Sequence, residues 1–335
     1  MRRFLFAQIL GWVLLLGFNS IEAAEYMPKK SAGKFTVETA KLDLKDTKRD
    51  REVPVKIYYP KEATNACPVI LFSHGLGGSR EGYEYLGNHW ASHGYISVHV
   101  QHLGSDDVVW KGQANALSSM KKAALDIRNA INRPQDITFT VDELDRLNQS
   151  EAKWKGKFDL KRLGMAGHSF GAYTTLAIGG QQFMVRGEAK TMADPRFKAL
   201  LPMSSPIPAR NRDEAFAAIK LPCLHMTGTK DTTPINETTA EERRIPFDKM
   251  PGPDNFLLNF TGGDHMVFSG RPGMQGDRSK DEIFHGLIKE SSTAFWEAYL
   301  LGNDAAKAWL KNGGFKQDLG ENGAFEFSKK ETAKK

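Results

Sequence analysis

Cysteine is almost absent from this chain: Cys67 and Cys223 are the only two in 335 residues. That excludes a disulfide framework and leaves one possible bridge. Each cysteine lies at an apolar run, 68–73 and 221–227, that reads as a core strand. In the sheet order argued below three strand spacings separate them, roughly 14 Å at about 4.8 Å per step, out of disulfide range. Both are expected to be buried free thiols. Charge of one sign is not gathered either. Lys and Arg number 46 against 40 Asp and Glu, and apart from the lysine-rich tail the cations are scattered among acids, with no basic stripe interleaved with aromatics. No nucleic-acid partner is expected, and the net charge of +6 gives only unspecific attraction to acidic surfaces. No internal repeat and no low-complexity linker divides the chain, so one domain over 25–335 is the simplest reading.

Long hydrophobic runs are missing, with one exception at the N-terminus. Met1-Arg2-Arg3 is basic, Phe4 to Phe18 is nearly all apolar, and Ser20-Ile21-Glu22-Ala23-Ala24 offers small residues for cleavage. The run is short for a membrane span, and the order of parts is that of a secretory signal peptide over 1–24. The mature chain is then expected to begin near Ala24 or Glu25, exported to a periplasm or the medium, with no stable membrane insertion. An uncleaved anchor is the alternative. No cysteine follows the run, so lipid attachment there is excluded.

A metal-ligand cluster is also lacking. His89 and His93 are spaced i, i+4 on an expected helix, as two ligands are in some metal sites, but nothing in the sequence places a third ligand beside them. His99 and His102, near the end of one strand, read as structural. No metal and no organic cofactor is expected.

What the chain does have is a regular alternation of strands and helices. Residues 34–46 and 51–59 alternate polar and apolar side chains, two antiparallel strands joined by a polar turn. PVILFS (68–73) and YISVHV (95–100) are continuous apolar runs, the mark of buried strands. Residues 162–166, 198–206, 222–229 and 255–263 supply four more. Helices are expected over 81–92, over 113–132 with Pro134 as its stop, over 139–147, and over 282–301 with an extension at 305–310. A hairpin followed by such alternation gives a mostly parallel eight-stranded sheet with helices on both faces. Chemistry then gathers at the carboxyl ends of the strands.

Three signals fall there in order. Gly167-His168-Ser169-Phe170-Gly171 is the only G-x-S-x-G in the chain, and it stands between a strand and a helix, as a nucleophile elbow must. Asp231 follows the next-to-last strand in GTKD, and His265 follows the last in GGDH. A serine hydroxyl is a poor nucleophile at neutral pH and needs a base within reach; His265 is that candidate, with Asp231 to orient it. Asp264, adjacent in sequence, is a rival with awkward geometry. An oxyanion hole requires backbone N–H groups aimed at the developing charge. Phe170, at a helix start where amides are unpaired, supplies one candidate, and Leu76 in SHGLGG the other. His74 beside it reads as structural. Trp110, in the loop after the fourth strand, would either stack on a substrate or pin the loop. Arg243, Arg244 and Arg271 lie in polar connections and read as solvated charges sooner than as anion ligands.

With FSHGLGG, GHSFGA, GTKD and GGDH in place, the chain from about 34 to 310 resembles the α/β-hydrolase superfamily. The resemblance is to its branch around platelet-activating-factor acetylhydrolases, dienelactone-hydrolase-like esterases and bacterial cutinase-like polyester hydrolases. It implies an α/β-hydrolase fold and cleavage of carboxylic esters through Ser169, His265 and Asp231, with Leu76 and Phe170 at the oxyanion. Two departures are visible. Dienelactone hydrolases use a cysteine where Ser169 stands. The mammalian acetylhydrolases take their acid from the loop after strand six, here MSSPIPAR, which has none. Small or polymeric esters with short acyl chains are the expected substrates, since no long insertion suggests a lid. An acyltransferase or perhydrolase using the same acyl-enzyme, or a non-catalytic relative of the fold, remain the other readings.

Overall fold

The computed structural model describes residues 26–252, 254–270 and 278–328. The expected signal peptide, Arg271 and the lysine-rich tail lie outside them. The chain begins with a hairpin, β1 (Val37–Asp46) and β2 (Arg51–Pro60), followed by β3 (Cys67–Ser73), α1 (Glu84–Ser92) and β4 (Ile96–Val100). Helices α2 (Ala116–Leu125) and α3 (Ile127–Ser150) lead to β5 (Phe158–His168) and α4 (Phe170–Gly179). A two-stranded ribbon, β6 (Gln182–Val185) and β7 (Glu188–Thr191), precedes β8 (Phe197–Met203) and β9 (Cys223–Lys230). Then come α5 (Ile245–Lys249), β10 (Asn255–Asp264), α6 (Asp281–Leu300), α7 (Asp304–Lys311), α8 (Gly314–Leu319) and β11 (Gly323–Ser328).

Nine of these strands form one sheet in the order β1-β2-β4-β3-β5-β8-β9-β10-β11. Pairing is parallel from β4 through β10 and antiparallel at both edges. Each buried strand sends alternate side chains to opposite faces. On β3, Ile70 and Phe72 join a core with α1 and α6, while Val69 and Leu71 join a second core with α3. Both faces are covered, so the strands carry continuous apolar runs. Three strand steps part β3 from β9, and Cys67 and Cys223 are buried free thiols.

Two expectations are corrected. Among the described residues the sheet has nine strands, not eight: Gly323–Ser328 pairs antiparallel with β10. Phe325 and Phe327, two apart and therefore on one face, stack on Phe256 at 5.8 and 5.0 Å. Nor does Pro134 stop a helix. α3 runs through it to Ser150, and the break comes earlier, where Asp126 turns extended and caps α3 by accepting from Arg128 N at 3.0 Å. A proline removes the hydrogen bond to the carbonyl four residues back. That carbonyl, of Ala130, accepts instead from the Tyr173 hydroxyl at 3.3 Å.

Candidate active site

Ser169 sits at the sharp turn between β5 and α4 with φ 56° and ψ −116°. A non-glycine residue held at such angles stores roughly 1–3 kcal/mol. The turn is possible only because its neighbours are bare. A Cβ on Gly167 would overlap the Gly171 carbonyl, and one on Gly171 would overlap the carbonyl of Ser73 on β3. The Ser169 amide is tied to the Met203 carbonyl at the end of β8, at 2.9 Å.

His265 follows β10 and brings Nε2 to 3.0 Å from Ser169 Oγ. Its Nδ1 lies 2.8 Å from Oδ1 of Asp231, which follows β9. A carboxylate only accepts, so the proton rests on Nδ1 and leaves Nε2 as the acceptor facing Ser169. Asp231 is fully buried. Burial alone would raise its pKa, but the His265 hydrogen bond, the Arg243 charge and the Ser204 hydroxyl outweigh that and hold it below the ordinary carboxylate range. Asp264 does not compete: its Oδ1 accepts from the amides of Met266 and Val267 at 2.9 and 3.2 Å and shapes the turn that presents His265.

Leu76 and Phe170 flank the serine. Phe170 opens α4, where an amide has no intrahelical acceptor. Among the described residues neither amide has a backbone acceptor, whereas the neighbouring Gly77 and Gly78 amides are taken up by Ser105 and Gly75 carbonyls. Both N–H groups are thus without a backbone partner among the described residues. Beside Ser169 opens a cavity of about 290 Å³, lined by Leu76, Ala130, Phe170, Tyr173, Ile207 and Ile235 among others. Among the described residues no Lys, Arg, Asp or Glu lines it.

Several residues reach this site that the sequence pattern did not place there. Ser204, in the loop after β8 and at φ 58°, donates to Asp231 Oδ1 at 2.8 Å and lies 2.7 Å from His265 Nδ1. The MSSPIPAR loop therefore brings a hydroxyl to the acid–imidazole pair. Thr227 donates to Asp231 Oδ2 at 3.0 Å. Arg243 is not a solvated charge: it is 2% exposed, donates to the carbonyls of Ser204, Ser205 and Asp231, and pairs with Asp231 Oδ1 at 2.8 Å. Arg244 instead pairs with Asp248 and Glu326 near the surface. His168, the variable residue before the serine, is buried and held far below its usual pKa by burial and then by His265. Neutral, it bonds the His265 carbonyl through Nε2 at 2.9 Å and the Tyr83 hydroxyl through Nδ1 at 2.8 Å. That hydroxyl accepts from the Gly75 amide at 3.2 Å, so the chain of bonds joins the Leu76 loop to the His265 turn. A buried tyrosine far away in sequence leaves no local signal of such a role.

The remaining candidates fall outside the cavity. Trp110 donates from Nε1 to the Gly77 carbonyl at 2.7 Å and packs on that glycine, pinning the loop, and it is absent from the cavity lining. His74, His99 and His102 are buried in the core. His89 and His93 pack ring to ring at 4.6 Å, and among the described residues no group of three metal-ligating side chains is assembled.

A largely parallel sheet, a serine elbow after β5, and an acid and a histidine after β9 and β10 define an α/β-hydrolase fold. The sequence pattern of the chlorophyllase family matches residues 29–201, more than half of the chain, and the chain belongs to that family. It is similar to a platelet-activating factor acetylhydrolase of Cavia porcellus, 25% identical over 285 residues, 74% of this chain and 61% of that protein. It is also similar to cutinase est2 of Thermobifida alba, 24% identical over 212 residues, 63% of this chain and 56% of that one. For cutinase 2 of Thermobifida cellulosilytica the identity is 23% over 176 residues, 52% of each. The matched part is thus about half to three-fifths of the length of these relatives.

Proposed function

We propose that the chain is a serine hydrolase that cleaves carboxylic esters, with short acyl chains preferred. One observation carries this reading: a strained Ser169 within 3.0 Å of His265 Nε2, at the edge of an apolar cavity and between two unpaired amides. In the reaction Ser169 Oγ attacks the ester carbonyl, forming a C–O bond as its proton passes to His265 Nε2. The carbonyl oxygen takes the negative charge and accepts from the Leu76 and Phe170 amides. Asp231 keeps the imidazole in the Nδ1–H tautomer and stabilises the imidazolium. Collapse breaks the bond to the leaving alkoxide, which departs with the proton from Nε2. Water then adds to the acyl-enzyme by the same route, returning the acid and free Ser169. No step calls on a metal or organic cofactor.

The cavity supports the preference in two ways. It is at the small end of the range for ligand pockets, which run from about 300 to 1,000 Å³, and among the described residues its lining bears no charge to recognise an anionic group. The names of the relatives, an acetylhydrolase and two cutinases, agree with ester cleavage. We take residues 1–24 as a signal peptide and the remainder as a single exported catalytic domain. Among the described residues no helix is long and apolar enough to cross a membrane.

Hydrolysis of p-nitrophenyl esters from acetate to palmitate, by the chain beginning at Glu25 and by its Ser169→Ala variant, tests this reading. Turnover greatest with acetate or butyrate and lost by about 10⁴-fold or more in the variant is expected. Equal turnover by both proteins would remove Ser169 from the mechanism.

A further inference from the structure

Beneath the two candidate oxyanion donors lies a buried polar network that none of these steps uses. At its centre is Arg133 on α3, 0% exposed. Its Nε donates to Thr174 Oγ1 at 3.0 Å and its Nη1 to Ser105 Oγ at 2.8 Å. Its Nη2 donates to Ser73 Oγ at 3.0 Å and, in a very short contact, to the His74 carbonyl. The guanidinium carbon lies 4.6 Å from the centre of the Phe170 ring. Burial lowers its pKa to about 9, with Asp136 opposing, so the charge is present at neutral pH.

These contacts sort into two groups. Ser73 and His74 lead directly into Leu76, and Ser105 supplies the carbonyl that holds the Gly77 amide at 2.9 Å. Thr174 and Phe170 belong to α4, and Thr174 in turn donates to the Phe170 carbonyl at 3.0 Å. One rigid planar fork therefore touches both segments whose amides flank Ser169. His74 adds a second constraint. The His102 amide donates to its Nε2 at 3.1 Å, which leaves its Nδ1–H to donate to the Gly75 carbonyl at 2.6 Å. That carbonyl and the Leu76 N–H are the two ends of one peptide group.

We propose that Arg133 is a positioning residue for ester cleavage, a single buried guanidinium that fixes the Leu76 amide and the Phe170 amide relative to each other. The proposal rests on the serine hydrolase reading above. Amide donors stabilise a transition state only when they are fixed before the charge develops, and here the two come from separate elements, the β3 loop and α4. Lysine would keep the charge but cannot span the four acceptors that the fork reaches.

The test compares wild type with Arg133→Lys and Thr174→Val, using p-nitrophenyl acetate turnover and inhibition by a short-chain trifluoromethyl ketone, whose serine adduct carries an oxyanion. In folded Arg133→Lys, kcat is expected to fall about 10- to 100-fold, below the 10²–10³ of losing a donor outright. KM should change by less than about threefold, and ketone affinity should fall in step with kcat/KM. Thr174→Val, missing one of the four acceptors, should shift both readouts the same way by a smaller factor. A folded Arg133→Lys with wild-type kcat, or with reduced kcat and unchanged ketone affinity, would overturn the proposal, since a merely structural arginine moves the melting temperature alone. Should Arg133→Lys show no cooperative melt, Thr174→Val and Ser105→Ala decide, and wild-type kcat and ketone affinity in both overturns it. If the wild type shows no turnover that depends on Ser169, the hydrolase reading itself falls and takes this one with it. Ser169-dependent turnover indifferent to Arg133 removes only the latter.

Discussion

Among the described residues stand two Ser–His–Asp chains of nearly equal dimensions. In one, Ser169 Oγ is 3.0 Å from His265 Nε2 and His265 Nδ1 is 2.8 Å from Asp231. In the other, Ser73 Oγ is 2.9 Å from His102 Nε2 and His102 Nδ1 is 3.0 Å from Asp136. Residue types, atoms and distances match, yet only one is fit for chemistry. Ser73, His102 and Asp136 are 0% exposed, so no ester reaches them. Ser73 lies within regular strand β3 and its Oγ already accepts from Arg133, whereas Ser169 stands on a strained turn beside a cavity. Burial and the Arg133 charge also lower the His102 pKa to about 4, with Asp136 opposing, making it a weak base. Geometry of the three side chains is therefore not what distinguishes the candidate active site from the buried chain; access, free amides and a lone pair left available on the serine are.

Replacing each histidine is the strongest way to break this comparison. His265→Gln removes the candidate general base and is expected to cost on the order of 10⁶ in kcat, with the melt little changed. His102→Gln should keep activity within about tenfold while losing roughly 1–3 kcal/mol of stability, the cost of leaving buried partners unpaired. Ester turnover and urea unfolding of the two variants are the measurements. Comparable kcat losses in both would mean that the buried chain takes part in the reaction.

Asp136 sharpens the contrast through pH. Burial alone would raise its pKa, but the His102 hydrogen bond and Arg51 outweigh burial and bring it below the ordinary value. Arg51 donates to it from Nε and Nη2 at 2.8 and 2.9 Å, and Arg49 pairs with it at 2.9 Å. A carboxylate with a depressed folded pKa contributes stability that is fully present above its unfolded pKa, near 3.9. That contribution is lost as pH falls through the folded value. Asp136→Asn is thus expected to cost about 3–5 kcal/mol at pH 7, as for a broken buried ion pair. The gap to wild type should narrow below about pH 4. Urea unfolding from pH 7 down to pH 3 reads this directly, and a constant gap would show that Asp136 is not the group titrating.

Much of the open chain was legible in the sequence and almost nothing of the buried one. Ser169, Asp231 and His265 each follow a strand with a strong apolar signal, so their order along the chain already implied one sheet edge. Glycines at 167 and 171 marked the elbow because only they fit beside β3. The stop signal at Pro134 misled, because the hydroxyl that satisfies the freed Ala130 carbonyl comes from Tyr173, on another helix. Arg133, Asp136 and His102 look like ordinary helix and loop residues, and their roles arise from contacts spanning 28 to 60 positions. Arg243 reads as a surface charge until the loops carrying Ser204 and Asp231 close over it. The edge strand β11 is short, and its signal is confined to Phe325 and Phe327.

The smallest effect concerns what surrounds the two carboxylates. Asp136 is held by the guanidinium groups of Arg51 and Arg49, Asp231 by one guanidinium and the hydroxyls of Ser204 and Thr227. Ser204 contacts both Asp231 Oδ1 and His265 Nδ1, so Ser204→Ala leaves the acid and the imidazole in place but removes the hydroxyl between them. The loss of one hydrogen bond to a charged group, about 1.5–3 kcal/mol in a buried site, is divided between the free enzyme and the transition state. Only the part specific to the imidazolium form appears in kcat, which is expected to fall about three- to tenfold with KM unchanged. Ser204→Gly separates the hydroxyl from the backbone. It removes the same group while relieving the positive φ of 58°, so equal kcat losses in the two variants assign the effect to the hydroxyl. Recovery of kcat in Ser204→Gly would assign it to strain in the loop instead.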